Sequence, residues 1–189
     1  MNGARSNPAR LILAILALAR FDRRGFDLLP VSTEAFLTSL APLVAFPLTG
    51  AGLLIADGGG VAVISDFFAT LDALLAAPVL SHTLAWAFGR EALWLRYAIA
   101  FNWCQWVIPA AAGVLVVLSR TAVTLGAEAE LATYGAFAAL ALYALCLHWF
   151  LVRKGLDLSL FRAGVVVVLV NLASGALLFG PEILAVVQR

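Results

Sequence analysis

REALWLRYAIAFNWCQWVIPAAAGVLVVL, residues 90–118, decides the class of fold. After Arg90, Trp94 and Arg96 the chain runs without a charge from Tyr97 to Leu118. At ~1.5 Å of rise per residue that run is ~33 Å long, against a hydrocarbon core of ~30 Å. The arginines and tryptophan ahead of it are the residues of a membrane interface. Within it stand Asn102, Gln105 and Pro109, so the expected transmembrane helix carries two amides and a proline.

Composition extends the reading to the whole chain. Of 189 residues 63% are hydrophobic and 12% charged, and the mean hydropathy is +1.02. Soluble domains are nearer half apolar and a quarter charged, so this chain could not cover a water-facing surface. Its length has room for one bundle, and a nucleic-acid partner is not expected. Cys104 and Cys146 both fall in apolar runs, which argues against a disulfide framework. Lys154 is the only lysine beside eleven arginines. With the alanine content, that habit suggests a GC-rich bacterial genome and hence the bacterial inner membrane.

The chain opens with a run that imitates a secretory signal, residues 11–19 behind Arg5 and Arg10. Arg20, Arg23 and Arg24 follow at once and oppose export. Nine apolar residues are too few to span. Asn7 and Pro8 suit an N-cap and first turn, so residues 8–20 are expected to form a helix at the cytoplasmic interface, held by Arg10 and Arg20. Residues 1–32 make a cytoplasmic or interfacial segment, and 33–189 the bundle.

Pro30 closes the linker, and Ser32 with Glu34 marks a helix start. Five spans are expected: 33–55, 71–89, 97–118, 131–152 and 164–187. Pro42 and Pro47 bend the first, and 56–60 form a turn. Asp66 and Asp72 are unfavourable at bilayer depth, so 61–70 is placed at the outer interface. Residues 119–130 are polar and form the expected outer loop.

The charges orient the spans. With the N-terminus in the cytoplasm, the inner side holds Arg5, Arg10, Arg20, Arg23, Arg24, Arg90, Arg96, Arg153, Lys154 and Arg162. Only Arg120 and Arg189 are left outside. That bias obeys the positive-inside rule and predicts N-in, C-out.

This threading gathers polar residues into one layer. Counted from the inner ends of their spans, Asn102, Gln105, His148, Asn171 and His82 lie roughly 6–12 Å deep. Asn102 and Gln105 stand at i,i+3 and should share a face. Pro109 cannot donate to the Gln105 carbonyl, which leaves a free acceptor beside them. Asn171, Ser174, Gly175 and Leu178 form a stripe on the fifth span, matched on the fourth by Ala138, Ala141, Leu145 and His148. Such residues mostly serve as packing contacts between helices, each hydrogen bond giving ~0.6–2 kcal/mol. A substrate or ion site is the alternative.

Trp86, Trp94 and Trp149 fit an interfacial belt. Trp103 and Trp106 count as deeper and share a face, which suits contact with lipid, a pigment or, the reading favoured here, a partner. His82 and His148, on separate helices, could ligate one haem, and a haem- or pigment-binding electron-transfer subunit is a minor alternative. Cys146 and His148 stand two apart, about 200° around a helix, and cannot face one metal. No nucleophile elbow, phosphate loop or HExxH occurs, so neither enzymatic activity nor a cofactor is expected.

GFDLLPVSTEAFLTSLAPLVAFP (25–47), RYAIAFNWCQW (96–106) and WFLVRKGLDLSLFRAGVVVVLVNL (149–172) resemble an uncharacterised integral-membrane protein family of alphaproteobacteria. The five-span arrangement behind a cytosolic helix is also similar to Yip-type membrane proteins. Neither resemblance implies functional residues. The expectation is a non-enzymatic inner-membrane protein, an accessory or structural subunit of a larger complex. A small-solute or ion carrier acting as an oligomer is the alternative. Against the carrier stand five spans, which cannot hold an inverted repeat, and the absence of a mid-membrane charge.

Overall fold

The computed structural model describes residues 8–187, and side chains throughout that range except at positions 46, 62 and 179–187. Of the described residues 85% are helical. In order come α1 (Pro8–Ala19), α2 (Gly25–Leu28), α3 (Thr33–Ala56), α4 (Val61–Ala87), α5 (Glu91–Cys104), α6 (Val107–Thr124), α7 (Ala129–Gly155) and α8 (Leu160–Val187). α5 and α6 form one span, Glu91–Thr124, and among the described residues five helical spans are long and apolar enough to cross a membrane. The protein is a multi-pass membrane helix bundle with a short N-terminal helix, as its sequence predicts. Asn7, Arg5, Arg189 and the side chain of Glu182 lie outside the described residues.

Local chemistry accounts for the boundaries. Ser32 caps α3, its Oγ accepting from the Ala35 N–H at 3.0 Å. Gly89 (φ 67°) and Gly126 (φ 100°) end α4 and α6 in left-handed turns. Arg90 N–H returns to Ala85 O at 2.7 Å and Ala127 N–H to Ala122 O at 3.0 Å. Pro109 supplies no N–H for Gln105 O and crowds that carbonyl. The helix breaks there, and Trp106 N–H bonds Trp103 O at 3.3 Å instead.

Two expectations about boundaries need correction. Residues 61–70 do not form a separate segment, because α4 runs unbroken from Val61 to Ala87. A helix satisfies every backbone group internally, so nothing favours a break at Thr70, whose hydroxyl bonds Asp66 O at 2.8 Å. The outer loop is also shorter than 119–130, for α6 continues to Thr124 and α7 begins at Ala129. Thr121 and Thr133 return their hydroxyls to carbonyls of the preceding turn and so remain helical.

α5 is the hub, packing on α1, α3, α4 and α7. Tyr97, Ala98, Ile99, Ala100, Asn102 and Cys104 are all buried on it. Its close approach to α7 depends on Gly155, where a Cβ would lie 2.9 Å from the Tyr97 Cβ. α1 docks onto α5 and α7 and seals Ala14 and Leu18 completely.

Burial is uneven along the bundle. The core is assembled where α3, α5 and α8 begin and where α4 and α7 end. α6, by contrast, contains no buried residue and packs chiefly on α7. Water drives apolar burial, and lipid does not, so helices in hydrocarbon can stay open to their solvent.

Candidate functional site

α5 presents two polar faces to different neighbours. On one, Asn102 donates to Ser39 Oγ of α3 at 2.9 Å, and Ser39 donates in turn to Phe36 O at 2.7 Å. Both side chains are buried, Asn102 at 1% exposure and Ser39 at 0%. The helix i,i+4 pattern leaves the Phe36 carbonyl a second lone pair, which the hydroxyl takes.

The other face carries Tyr97, Phe101, Cys104, Gln105 and Ile108, a stripe of helical period. Tyr97 Oη lies 3.1 Å from His148 Nε2 on α7. His148 Nδ1 lies 2.9 Å from Asn171 Nδ2 on α8, and that amide also donates to Val167 O at 2.8 Å. An amide nitrogen only donates, so Nδ1 accepts and the neutral ring carries its proton on Nε2. The Tyr97 oxygen then accepts from Nε2. Phe101 covers the imidazole with its ring centroid 4.7 Å away. Three helices are thereby joined through one histidine.

Beside this network lies a cavity of about 110 Å³, lined by Phe101, Cys104, Gln105, His148 and Asn171 among others. That volume admits several waters, and the lining supplies polar partners for them. No charged side chain lines it.

The expected layer is therefore divided. Gln105, His148 and Asn171 come together, but Asn102 turns to α3 and does not share their face. The helix break at Gln105 and the rotation of α5 between two neighbours separate them. His82 stands apart from both networks. It lies half-exposed at the α4–α5 turn, 3.7 Å from Glu91 Oε1 and edge-on to Trp94 at 4.8 Å. His82 and His148 thus address different neighbours, and both His148 nitrogens have partners inside the protein. Trp103 is partly buried against the core, and Trp106 is partly buried at the break. Neither is a freely projecting side chain.

Three contributors escaped the sequence reading: Ser39, Tyr97 and Ser81, whose Oγ accepts from Trp94 Nε1 at 3.1 Å. For Tyr97 a signal existed, since positions 97, 101, 104, 105 and 108 form one stripe. Arg96 has a structural part beyond its charge. It donates to Lys154 O and Gly155 O at 3.2 and 2.9 Å and lies over the Phe26 ring at 5.4 Å. It so caps the C-terminal carbonyls of α7.

Among the described residues no group of three or more His, Cys, Asp or Glu could hold a metal ion. No protein-family model, curated protein or solved structure matches the chain.

Proposed function

We propose that the protein is a non-enzymatic membrane subunit that supports a larger assembly in the bacterial inner membrane, with its N-terminus in the cytoplasm. The observation that carries this reading is α6, which buries none of its eighteen residues and leans on α7 alone for most of its contacts. The α6–α7 hairpin offers an apolar helical face to a neighbouring subunit. Trp106, at the foot of that hairpin, is the residue whose loss should loosen the association. In native gels after gentle solubilisation the protein should migrate in a complex larger than its own homo-oligomers, and Trp106→Ala should release it. A wild-type protein that runs only as a monomer or homo-oligomer overturns this reading.

The cavity, mainly apolar but with Gln105, His148 and Asn171 in its wall, favours a second reading, a small-solute or ion carrier. Its test is transport in vesicles containing the purified protein, with Asn171→Leu expected to abolish any flux. The bis-histidine haem reading has less support, since His82 and His148 face different neighbours.

A further inference from the structure

The α1–α2 hairpin reaches further along α7 than an interfacial helix lying flat would. At its base Arg10 donates to Asp27 O at 3.3 Å. Phe26 packs near Gly155 at the end of α7 and against Phe150 at 6.4 Å. At its tip the Tyr143 hydroxyl donates to Ala19 O at 2.9 Å, and Phe21 stands edge-on to Tyr143 and Phe150 at 6.0 and 5.5 Å. The tip, residues 20–24, is therefore level with residues 143–150 of α7, about 8–18 Å inward from Gly155.

This seat is specified by the chain. α1 ends with Asp22 N–H on Ala17 O and Phe21 N–H on Leu18 O, both at 2.9 Å. That motif needs a left-handed residue, usually glycine, at the place Phe21 occupies with φ 61°. The aromatic contacts hold Phe21 in a conformation its Cβ disfavours. Around it Arg20, Asp22, Arg23 and Arg24 are exposed, and none of them makes an ion pair among the described residues.

If Arg90, Arg153 and Lys154 marked the hydrocarbon edge on this face, four unpaired charges would lie deep in lipid, the least favourable arrangement available. Span lengths point the same way. The α5–α6 span has 34 residues and α7 has 27, about 51 and 40 Å against a core of ~30 Å. Measured from the break, α6 is about 27 Å long, and α7 from Ala129 to Leu147 is about 29 Å. Trp103 and Trp106 then fall at the interface, where tryptophan is stabilised. The buried core lies on the water side of the same level, where apolar burial has its driving force.

We propose that Arg20, Arg23 and Arg24 bind anionic phospholipid headgroups and set the hydrocarbon edge on the α5–α7 face at the level of His148. The packed end with its two polar networks stands in the headgroup layer.

The test uses the full chain in phosphatidylcholine vesicles with and without phosphatidylglycerol. A nitroxide on Asp22→Cys at the exposed hairpin tip, with Cys104 and Cys146 replaced by alanine, should be relaxed by a water-soluble nickel chelate. One on Phe137→Cys should respond to oxygen instead. Spin-labelled phosphatidylglycerol should be enriched around the protein over phosphatidylcholine. Each of Arg20→Gln, Arg23→Gln and Arg24→Gln should lower that preference about fivefold, while Arg162→Gln leaves it unchanged. A label at position 22 as oxygen-dominated as the Phe137 label overturns the proposal. So does a lipid preference that survives the triple variant. Should the triple variant fail to fold, the depth of the position-22 label in the chain that keeps all three arginines decides alone.

Discussion

Asn102 on α5 and Ser39 on α3 meet across 2.9 Å, sixty-three residues apart in the chain and both sealed from solvent. Without Ser39 the buried Asn102 amide loses its partner, whereas Ser39 without Asn102 keeps its bond to Phe36 O. Asn102→Ala and Ser39→Ala should each lower stability by about 0.6–2 kcal/mol, with a coupling near ~0.6 kcal/mol in the double variant. Thermal unfolding in mild detergent measures both. Additive effects would show that the contact contributes nothing beyond its two halves.

Removal of the Tyr97 hydroxyl should strand the His148 Nε2–H that donates to it. Tyr97→Phe is expected to destabilise by about 0.5–2 kcal/mol. Asn171→Leu should act similarly through Nδ1, and the two together should fall short of their sum. The same thermal series reads this out, and full additivity would argue against a shared network.

Gly155 and Gly135 give a paired test on one helix. A Cβ at 155 would meet the Tyr97 Cα at 3.2 Å, whereas one at 135 meets nothing within 4 Å. Gly155→Ala should cost about 1–3 kcal/mol as α5 and α7 are pushed apart. Gly135→Ala should be neutral, or gain up to about 1 kcal/mol from helix propensity.

Topology is tested with single cysteines in a background lacking Cys104 and Cys146. Ala127→Cys, in the α6–α7 turn, should react with an impermeant reagent from the periplasmic side. Lys154→Cys should react only after permeabilisation. Equal reaction at both would overturn the N-in orientation.

The exposed pair Arg90–Asp157, 3.7 Å apart with side chains 42% and 75% accessible, should matter little. Arg90→Gln is expected to shift unfolding by less than about 1 kcal/mol, and less again at high salt.

How much of this was legible in the sequence follows from the range of each interaction. The Ser32 cap and the Gln105 carbonyl freed by Pro109 depend on neighbours within four residues, so residue identity was enough, although the break that divides the expected 97–118 helix into α5 and α6 was not foreseen. The polar residues could be named, but their partners could not. Asn102 bonds to Ser39 rather than sharing a face with Gln105 because of how α5 is rotated between its neighbours. That rotation is set by packing, and helices apolar all round give little sign of which side is inward. The placement of Asp66 and Asp72 misled in the opposite way, since a local charge penalty suggested a break that backbone hydrogen bonding forbids. His82 was grouped by depth counted along a helix, a measure blind to the sideways position that puts it beside Glu91.

The bond from Tyr143 to Ala19 joins residues 124 positions apart. A ribosome adding 5–20 residues each second needs roughly 6–25 s to pass from one to the other. Through that interval the amino-terminal hairpin has been made but has no seat, because the helix that will receive it is still unsynthesised. Its apolar residues must be shielded meanwhile by lipid or by the insertion machinery. A segment made early is thus fastened late, and its locking reports that the fourth span has arrived.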